Sequence, residues 1–291
     1  NGIGETNFSL KCYETYRDKR CFELWMGQNC SACYYSHGLD SCQDCMFCFH
    51  LKNKSHAIGN LELETGKYTA IKAKLLSEMA DELRRKKSLP ALVDIAGKCA
   101  LAKPEIKVEE SATEATDKEA IEGAFGKTYR LLLGKAPLGD MDAYAEWLRR
   151  HTRKLEYCSS AFSGKRIFRY DYASYFELPK DRLIRPEEAN ALGEQSRLAQ
   201  GELEGLTLKN AHERIGKIAF FTSEYVEGTH MNLIECATSS SSSQCYRCSP
   251  IVYAKYCGYS FWPRSTQYAF GCGALLDSEF CINCYQSVKL R

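Results

Sequence analysis

Long apolar runs are missing from this chain. The longest, such as Ile218 to Phe221, fall far short of the roughly 20 residues that span a bilayer, so no membrane-crossing segment is expected. No charged-then-apolar signal segment opens the sequence. Neither sign of charge dominates: 39 Lys plus Arg stand against 37 Asp plus Glu, a net charge of +2. That balance removes any global electrostatic reason to expect nucleic acid or an anionic membrane as partner and leaves room only for a local basic stripe. Catalytic signatures are missing too. Gly123-Ala124-Phe125-Gly126-Lys127-Thr128 is too short for a phosphate loop and lies mid-helix by pattern, and there is no nucleophile elbow and no HExxH. An enzyme is therefore not expected. The first residue is Asn and the last, Arg291, falls inside a repeat, which suggests a processed or partial product.

What the chain does have is cysteine. Sixteen occur in 291 residues, seven between Cys12 and Cys48 and seven between Cys236 and Cys284, with Cys99 and Cys158 outside. With 44% hydrophobic residues the chain has ample material for a core, so it does not need the bridges of a small secreted domain. Reduced thiols in a reducing compartment, hence a cytoplasmic protein, are expected.

The cysteines are periodic. Cys236, Cys245, Cys272 and Cys281 share one frame of nine, and Cys248, Cys257 and Cys284 a second frame offset by three. Cys12, Cys21, Cys30 and Cys48 share a frame of nine in the first array, with Cys33 and Cys42 offset by three. Nonapeptide periods belong to parallel β-helices and β-rolls, whose units must stack to bury their apolar face. Two nonapeptides would make one coil. Stacked coils set equivalent side chains about 4.8 Å apart, so a small polarizable residue such as Cys suits an inward ladder. Tyr13, Phe22, Tyr34, Phe49, Tyr246, Phe280 and Tyr285 are expected to stack beside the thiols, and Ser239 to Ser243 to form a hydroxyl ladder or a loop. The fold class that follows is α+β: two nonapeptide-repeat arrays, parallel β-solenoid-like, flanking a mostly helical middle.

Metal is the rival reading of the same residues. Cys30-x-x-Cys33, Cys245-x-x-Cys248 and Cys281-x-x-Cys284 have zinc-knuckle spacing, and Cys42-x-x-Cys45-x-x-Cys48 offers three ligands of an iron–sulfur cluster. His37 and His50 lie near enough in sequence to complete a zinc site. A nine-residue period generates the same pairs wherever two frames are filled, and no fourth cluster ligand follows Cys48. No cofactor is therefore the first expectation, and zinc the alternative.

Between the arrays the pattern turns helical. Tyr68, Ile71, Leu75, Leu76, Met79 and Leu83 recur at helical spacing, with Thr65 as a cap and Arg84-Arg85-Lys86-Lys87 as a solvated last turn. Further helices are expected at 114–133, at 140–155 from an Asp140 cap, at 186–199, and at 207–222 from a Thr207 cap. The domain plan is an array at 1–63, a helix and tail at 64–102, a linker at 103–118, a helical middle at 119–230 and an array at 231–291. Residues 166–175 alternate as a strand or hairpin. The aromatics Phe162, Phe168, Tyr170, Tyr172, Tyr175 and Phe176, with Arg166, Arg169, Lys180, Arg182 and Arg185, form a candidate platform for single-stranded nucleic acid or, more plainly, a small core with charged edges. Cys158 with His151 or His212 is a candidate thiol dyad whose plain reading is buried filler.

The run Cys42-Gln43-Asp44-Cys45-Met46-Phe47-Cys48-Phe49-His50-Leu51-Lys52-Asn53-Lys54, then Ala57-Ile58-Gly59-Asn60, and Phe280-Cys281-Ile282-Asn283-Cys284-Tyr285 carry a resemblance. They resemble cysteine-rich repeat proteins of archaeal and candidate-phylum bacterial genomes, and Lys255-Tyr256-Cys257 through Trp262-Pro263-Arg264-Ser265 extend the likeness. That resemblance implies a repeat fold and brings no catalytic residues. In those proteins the C-terminal type of array runs straight into the N-terminal type, whereas here the two stand at opposite ends. In keeping with this, Cys284-Tyr285-Gln286-Ser287 parallels Cys12-Tyr13-Glu14-Thr15. The first expectation for function is thus a structural protein that stacks head to tail with itself. A zinc-stabilised nucleic-acid-binding module is the alternative, and a thiol redox enzyme the third.

Overall fold

The computed structural model describes residues 4–109, 116–170 and 178–291. It is α+β, with many short parallel strands and several helices. Two compact units divide it: Asn1–Glu110, Ser159–Lys165 and Phe176–Thr222 form one, and Ser111–Cys158, Arg166–Tyr175 and Ser223–Arg291 the other. The expected middle stretch 119–230 is thus shared between two units, each of which carries one of the cysteine arrays.

In the first unit, strands Phe22–Trp25, Ser31–His37, Gln43–Met46 and Ser55–Ile58 pair in parallel, in sequence order. Their registers are Phe22 with Tyr34, Cys33 with Cys45, and Cys45 with Ala57. Every step is twelve residues, and single bridges such as Gly4 with Tyr16 and Leu10 with Phe22 carry the same step back toward the start. In the second unit, Met231–Ile234, Ser243–Tyr246, Lys255–Gly258, Gln267–Phe270 and Glu279–Ile282 repeat the arrangement, pairing Leu233 with Cys245, Cys245 with Cys257, Cys257 with Ala269 and Ala269 with Cys281.

The nine-residue period therefore needs a correction: the pairing step is twelve, not the eighteen of two nonapeptides. The underlying unit is three residues. All seven cysteines from Cys12 to Cys48 share one triplet phase with Leu24, Leu39, Leu51 and Ala57, and these residues form one buried cluster. Cys245, Cys248, Ile251, Ala254, Cys257, Ala269, Cys272, Leu275 and Cys281 share a phase in the second ladder. Four triplets make the pairing step, and nine residues is three triplets, the diagonal to a neighbouring position in the next row.

Each triplet has a second regular feature. The residue before most inward ones takes a positive φ, as in Lys11 (52°), Arg20 (54°), Asn29 (52°), Ala32 (53°), Tyr35 (49°) and Phe47 (52°), Thr238 and Pro250 being exceptions. For a residue with a Cβ this backbone costs about 1–2 kcal/mol. Hydrogen bonds on both sides offset that cost. Ala32 N–H donates to the Lys19 carbonyl and Ser31 N–H to the Cys42 carbonyl, both at 2.9 Å.

One long helix covers each ladder. Thr65–Lys86 buries Tyr68, Leu75 and Met79, and Tyr68 packs edge-on to His56 with ring centres 5.3 Å apart. Glu64, not Thr65, is its capping residue, and it makes no side-chain cap bond. Glu119–Leu133 buries Ile121, Ala124, Phe125 and Thr128 in a cluster with Tyr246, Tyr259 and Phe270. Gly126-Lys127-Thr128 lies inside this helix, where Lys127 sits over the Tyr268 and Phe280 rings. The stretch expected as a helix at 140–155 is broken into Met141–Tyr144, Ala145–Leu148 and Arg149–His151. Asp140 does cap its start, accepting from Ala143 N–H. Pro186–Gln195 is helical, but 207–222 holds only Ala211–Arg214 and the turn Ile215–Lys217. Its last residues are drawn out of helix by pairing: Ile184 N–H donates to the Phe221 carbonyl and Phe221 N–H to the Arg182 carbonyl, each at 2.9 Å.

The left-handed position gives a direct test. Ala32→Gly is expected to stabilise the protein by up to about 1 kcal/mol, and Ala32→Val to destabilise it by more than about 1 kcal/mol, because β-branching makes positive φ costlier. Urea denaturation of both variants checks this, and equal midpoints would contradict the assigned backbone.

Candidate functional site

The chemistry of the ladders lies in how the thiols are held. All fourteen array thiols donate to the carbonyl two residues before them, from Cys12 to Leu10 and Cys21 to Lys19 through Cys281 to Glu279 and Cys284 to Ile282. Many also reach the carbonyl nine residues ahead: Cys30 to Leu39 at 3.5 Å, Cys42 to Leu51 at 3.3 Å, Cys48 to Ala57 at 3.4 Å and Cys236 to Cys245 at 3.5 Å. Serine does the same with one bond more: Ser36, Ser242, Ser260 and Ser278 donate two residues back and accept from the amide twelve residues ahead. Of the run Ser239 to Ser243, only Ser239 and Ser242 are buried in this phase.

The sequence-selected ligands are thereby sorted. Cys30, Cys33, Cys42, Cys45 and Cys48 lie inside the first ladder, and Cys245, Cys248, Cys281 and Cys284 belong to the second. His37 and His50 occupy the other two phases of the triplet and meet different partners, so they do not complete a site with these thiols. His37 Nε2 accepts from Thr222 N–H at 3.0 Å, and His50 Nε2 lies 2.9 Å from the Phe220 carbonyl. The two rings pack edge to face with centres 5.2 Å apart. Gly38 is needed beneath them: its φ is +67°, and a Cβ there would come within 2.5 Å of His50 Nδ1. Among the described residues no group of three or more His, Cys, Asp or Glu is arranged to hold a metal ion. The array thiols donate to backbone carbonyls. Against lowering hydrogen bonds from Cys33 and Cys30 respectively, the neighbouring thiols Cys42 and Cys45, with burial, push Cys30 and Cys42 up to about 12.

Sequence reasoning missed Asp18, which takes an inward position and is fully buried. One carboxylate oxygen accepts from Cys30 N–H at 2.6 Å, the bond that Ser36 makes to Cys48, while Oδ2 has no hydrogen-bond partner among the described residues. Gly27 makes room for it, since a Cβ there would lie 2.7 Å from Asp18 Oδ2. Burial pushes the Asp18 carboxyl up to about 7, against the Cys30 amide, which lowers it. Burial holds His37 well below its ordinary value and takes His50 down to about 4.

Three arginines of the proposed nucleic-acid platform have internal partners among the described residues. Arg182 is buried and donates to the carbonyls of Gly216, Ala219, Cys99 and Ala100. Arg169 is 3% exposed in its side chain and pairs with Glu156 at 2.9 Å, and Arg185 pairs with Glu187. Tyr172, Tyr175 and Phe176 lie outside the described residues, as do 110–115 of the expected linker. In the suggested dyad, Cys158 Sγ contacts the Ile167 carbonyl at 4.0 Å, and the His151 ring faces Tyr285.

The first and last described rows each have a strand neighbour on one side among the described residues. Residues 4–15 pair with the row twelve ahead and, among the described residues, with no other strand. Phe8 and Leu10 there are 91% and 59% exposed. At the other end Glu279–Ile282 and Tyr285–Val288 each have one strand neighbour, and Tyr285 and Val288 are more than half exposed.

The buried groups make stability depend on pH in two opposed ways. Asp18, raised above the roughly 3.9 of an unfolded Asp, contributes stability that is full below about pH 4 and lost as pH rises to about 7. His37 and His50, lowered below roughly 6.5, contribute stability that is full above that pH and lost as pH falls. In Asp18→Ser, stability is expected to fall below about pH 6.5 by up to about 1.4 kcal/mol per unit per histidine, a slope partly cancelled in the parent. Urea titrations across this window check it, and superimposable profiles would refute the raised Asp18. No protein-family model, curated protein or solved structure matches this chain.

Proposed function

We propose that this chain is a structural, self-assembling protein whose two ladders are short β-solenoids of twelve-residue coils, and that the last coil of one copy continues onto the first coil of the next. The observation that carries this reading is the complementarity of the open ends. Along each ladder, amides of the residue after the inward one donate forward, as Leu10 to Cys21 and Gly273 to Cys284, both at 2.9 Å. Amides of the left-handed residue donate backward, as Glu23 to Leu10 and Lys289 to Leu276. By this pattern the final described strand presents forward donors at Tyr285 and Val288, and their carbonyls occupy the positions that accept from a following row, the Tyr285 carbonyl also accepting from Ser287 Oγ at 3.0 Å. The first coil presents the matching carbonyls of Thr6, Ser9 and Cys12 and the amides of Phe8 and Lys11. Cys284-Tyr285-Gln286-Ser287 and Cys12-Tyr13-Glu14-Thr15 also agree in triplet phase. An uncapped edge of this kind is a template for pairing, and a head-to-tail contact between copies generates rings or filaments.

Fourteen thiols that act as donors also support a reducing compartment such as the cytoplasm. No helix among the described residues is long and apolar enough to cross a membrane. The zinc-dependent nucleic-acid alternative draws less support, because the thiols are engaged as protonated donors and Arg169, Arg182 and Arg185 are spent on internal partners.

Sedimentation velocity tests assembly. The parent is expected to gain mass with concentration. Val288→Pro, which removes a forward donor at the last coil, and Phe8→Lys at the first are each expected to stay monomeric with an unchanged melting temperature. A parent that is monomeric throughout would sink the proposal.

A further inference from the structure

A balanced net charge leaves room for one local basic stripe, and the second unit carries one. The run Trp147-Leu148-Arg149-Arg150-His151-Thr152-Arg153-Lys154 holds four cations and no carboxylate in a chain whose net charge is +2. Arg149, Arg150, Arg153 and Lys154 are all exposed, and none of them makes an ion pair among the described residues. The run is seated on the flank of the second ladder. Leu148 is fully buried, and two glycines let the backbone approach: a Cβ on Gly271 would come within 2.5 Å of the Leu148 carbonyl oxygen, and one on Gly273 within 2.6 Å of the His151 carbonyl oxygen. The arginines then lie over rings of the row 255–266. Arg149 stands 5.0 Å from the centre of Tyr259 and Arg153 5.9 Å from Phe261, while Arg264 stands 5.1 Å from Trp262, whose ring is 6.4 Å from that of Phe261. This row has strand neighbours on both sides: Lys255–Gly258 pairs with Ser243–Tyr246 and Gln267–Phe270, and Arg264 bridges to Val252 and Leu276. The surface is therefore a flank of the ladder and owes nothing to its ends.

A guanidinium resting on a ring uses its flat face and leaves the N–H groups at its edge for other partners. Arg149, Arg153 and Arg264 give none of these to an acceptor among the described residues, and Arg264 Nε is buried without a hydrogen-bond partner. Held by rings yet unpaired, they are pre-organised for an oxyanion from outside, and the fork geometry of Arg suits phosphate. Carboxylates nearby do not supply it. Glu235 is engaged by Arg247, Arg166 and Tyr157, Asp142 by Lys118 and Glu156 by Arg169, which leaves the exposed Glu146 on the turn before the run. Two aromatic rings bracket the cations in sequence, Trp147 at 43% and Tyr157 at 45% exposure. We infer that this flank binds single-stranded nucleic acid, with Arg149, Arg150, Arg153, Lys154 and Arg264 taking phosphates and Trp147 and Tyr157 taking bases. Cations alternating with ring faces are what a single strand uses, since its phosphates and unstacked bases are both accessible. A lipid surface fits less well, because insertion needs an apolar face and Trp147 is the one large apolar side chain exposed in the run.

This binding surface goes beyond the stacking proposal and does not depend on it. Fluorescence anisotropy of the full chain with a labelled oligo-uridine of about 20 nucleotides tests it. The logarithm of the association constant is expected to fall with the logarithm of salt concentration at a slope of about −3.5, five cations at about 0.7 each. Arg149→Ala/Arg153→Ala is expected to weaken binding at least about tenfold at low salt and to reduce the slope by about 1.4. Arg150→Ala/Lys154→Ala, which removes no ring contact, is expected to do the same with an unchanged melting temperature, so a loss of binding is separable from a loss of fold. Arg149→Lys/Arg153→Lys is expected to keep the slope, because the charge stays. The control is the denser basic run of the first unit, where Arg84 and Arg85 are paired with Asp81 and Glu82. Arg84→Ala/Arg85→Ala is expected to bind as the parent does. Four outcomes overturn the inference: no binding at low salt, an equal loss in the control variant, a duplex that competes as well per phosphate as the single strand, or sedimentation with phosphatidylserine vesicles by a chain that ignores the oligonucleotide.

Discussion

Every third residue of the two arrays has to fit into a space bounded by its own chain, and the rest of the structure follows from that limit. Rows about 4.8 Å apart leave an inward side chain little beyond its own width, so Cys, Ser, Ala, Thr and an occasional Leu or Ile fill these positions. Filling is only half of the requirement. Carbonyls facing this interior need donors, and an unpaired buried polar group costs about 1–3 kcal/mol. A thiol meets both needs, since it is nearly as apolar as a methyl-sized hydrophobe and still donates. The bulky residues are displaced outward, where Tyr256, Tyr268 and Phe280 stack at 5.0 and 4.6 Å and Tyr35 and Phe47 at 5.3 Å.

Much of this was legible in the cysteines and little of it elsewhere. Their phase marks the buried positions, but the expected aromatic stack is corrected: of Tyr13, Phe22, Tyr34, Phe49, Tyr246, Phe280 and Tyr285 only Phe280 stacks, and the stacked rings Tyr256, Tyr268, Phe280, Tyr35 and Phe47 sit one residue before the inward position rather than after it. The cysteine frames of nine do not give the row length, because strand pairing joins residues twelve apart. Leu24, Leu39, Ser36 and Ser260 complete the triplet count, yet their residue types occur everywhere in proteins and stand out only once the phase is known. The left-handed positions left only a partial mark: Asn29, Gly38, Asn53 and Gly271 occupy some of them, but Phe8, Met26, Tyr35 and Phe47 occupy others where nothing announces positive φ. Around the ladders, Tyr68, Leu75 and Met79 showed the first covering helix by their spacing. The segment 218–222 looked helical and is not, since pairing with residues 182–184 outweighs its local preference.

The polar groups that break the rule are held individually by backbone. Asp18 accepts an amide as Ser36 does, but retains a second oxygen that nothing satisfies. Glu23, on the outer surface of the first ladder and fully buried, takes the Trp25 indole at 3.2 Å and the Leu92 amide at 2.9 Å. Arg182 spends its guanidinium on four carbonyls of irregular chain that no ladder or helix serves. Each fixes a segment outside the regular rows, or the next row, to one place.

A stack of identical rows has no natural length. Inside it every amide and carbonyl is served by the rows before and after, so the energetic penalty concentrates at the two terminal rows. Proteins built this way usually end in a polar cap or a covering helix. Among the described residues no strand pairs with the far edge of the last row of the second ladder, and the first row of the first ladder exposes Phe8 and Leu10. Under the stacking proposal a second copy would offset both costs, by supplying donors to one edge and acceptors to the other.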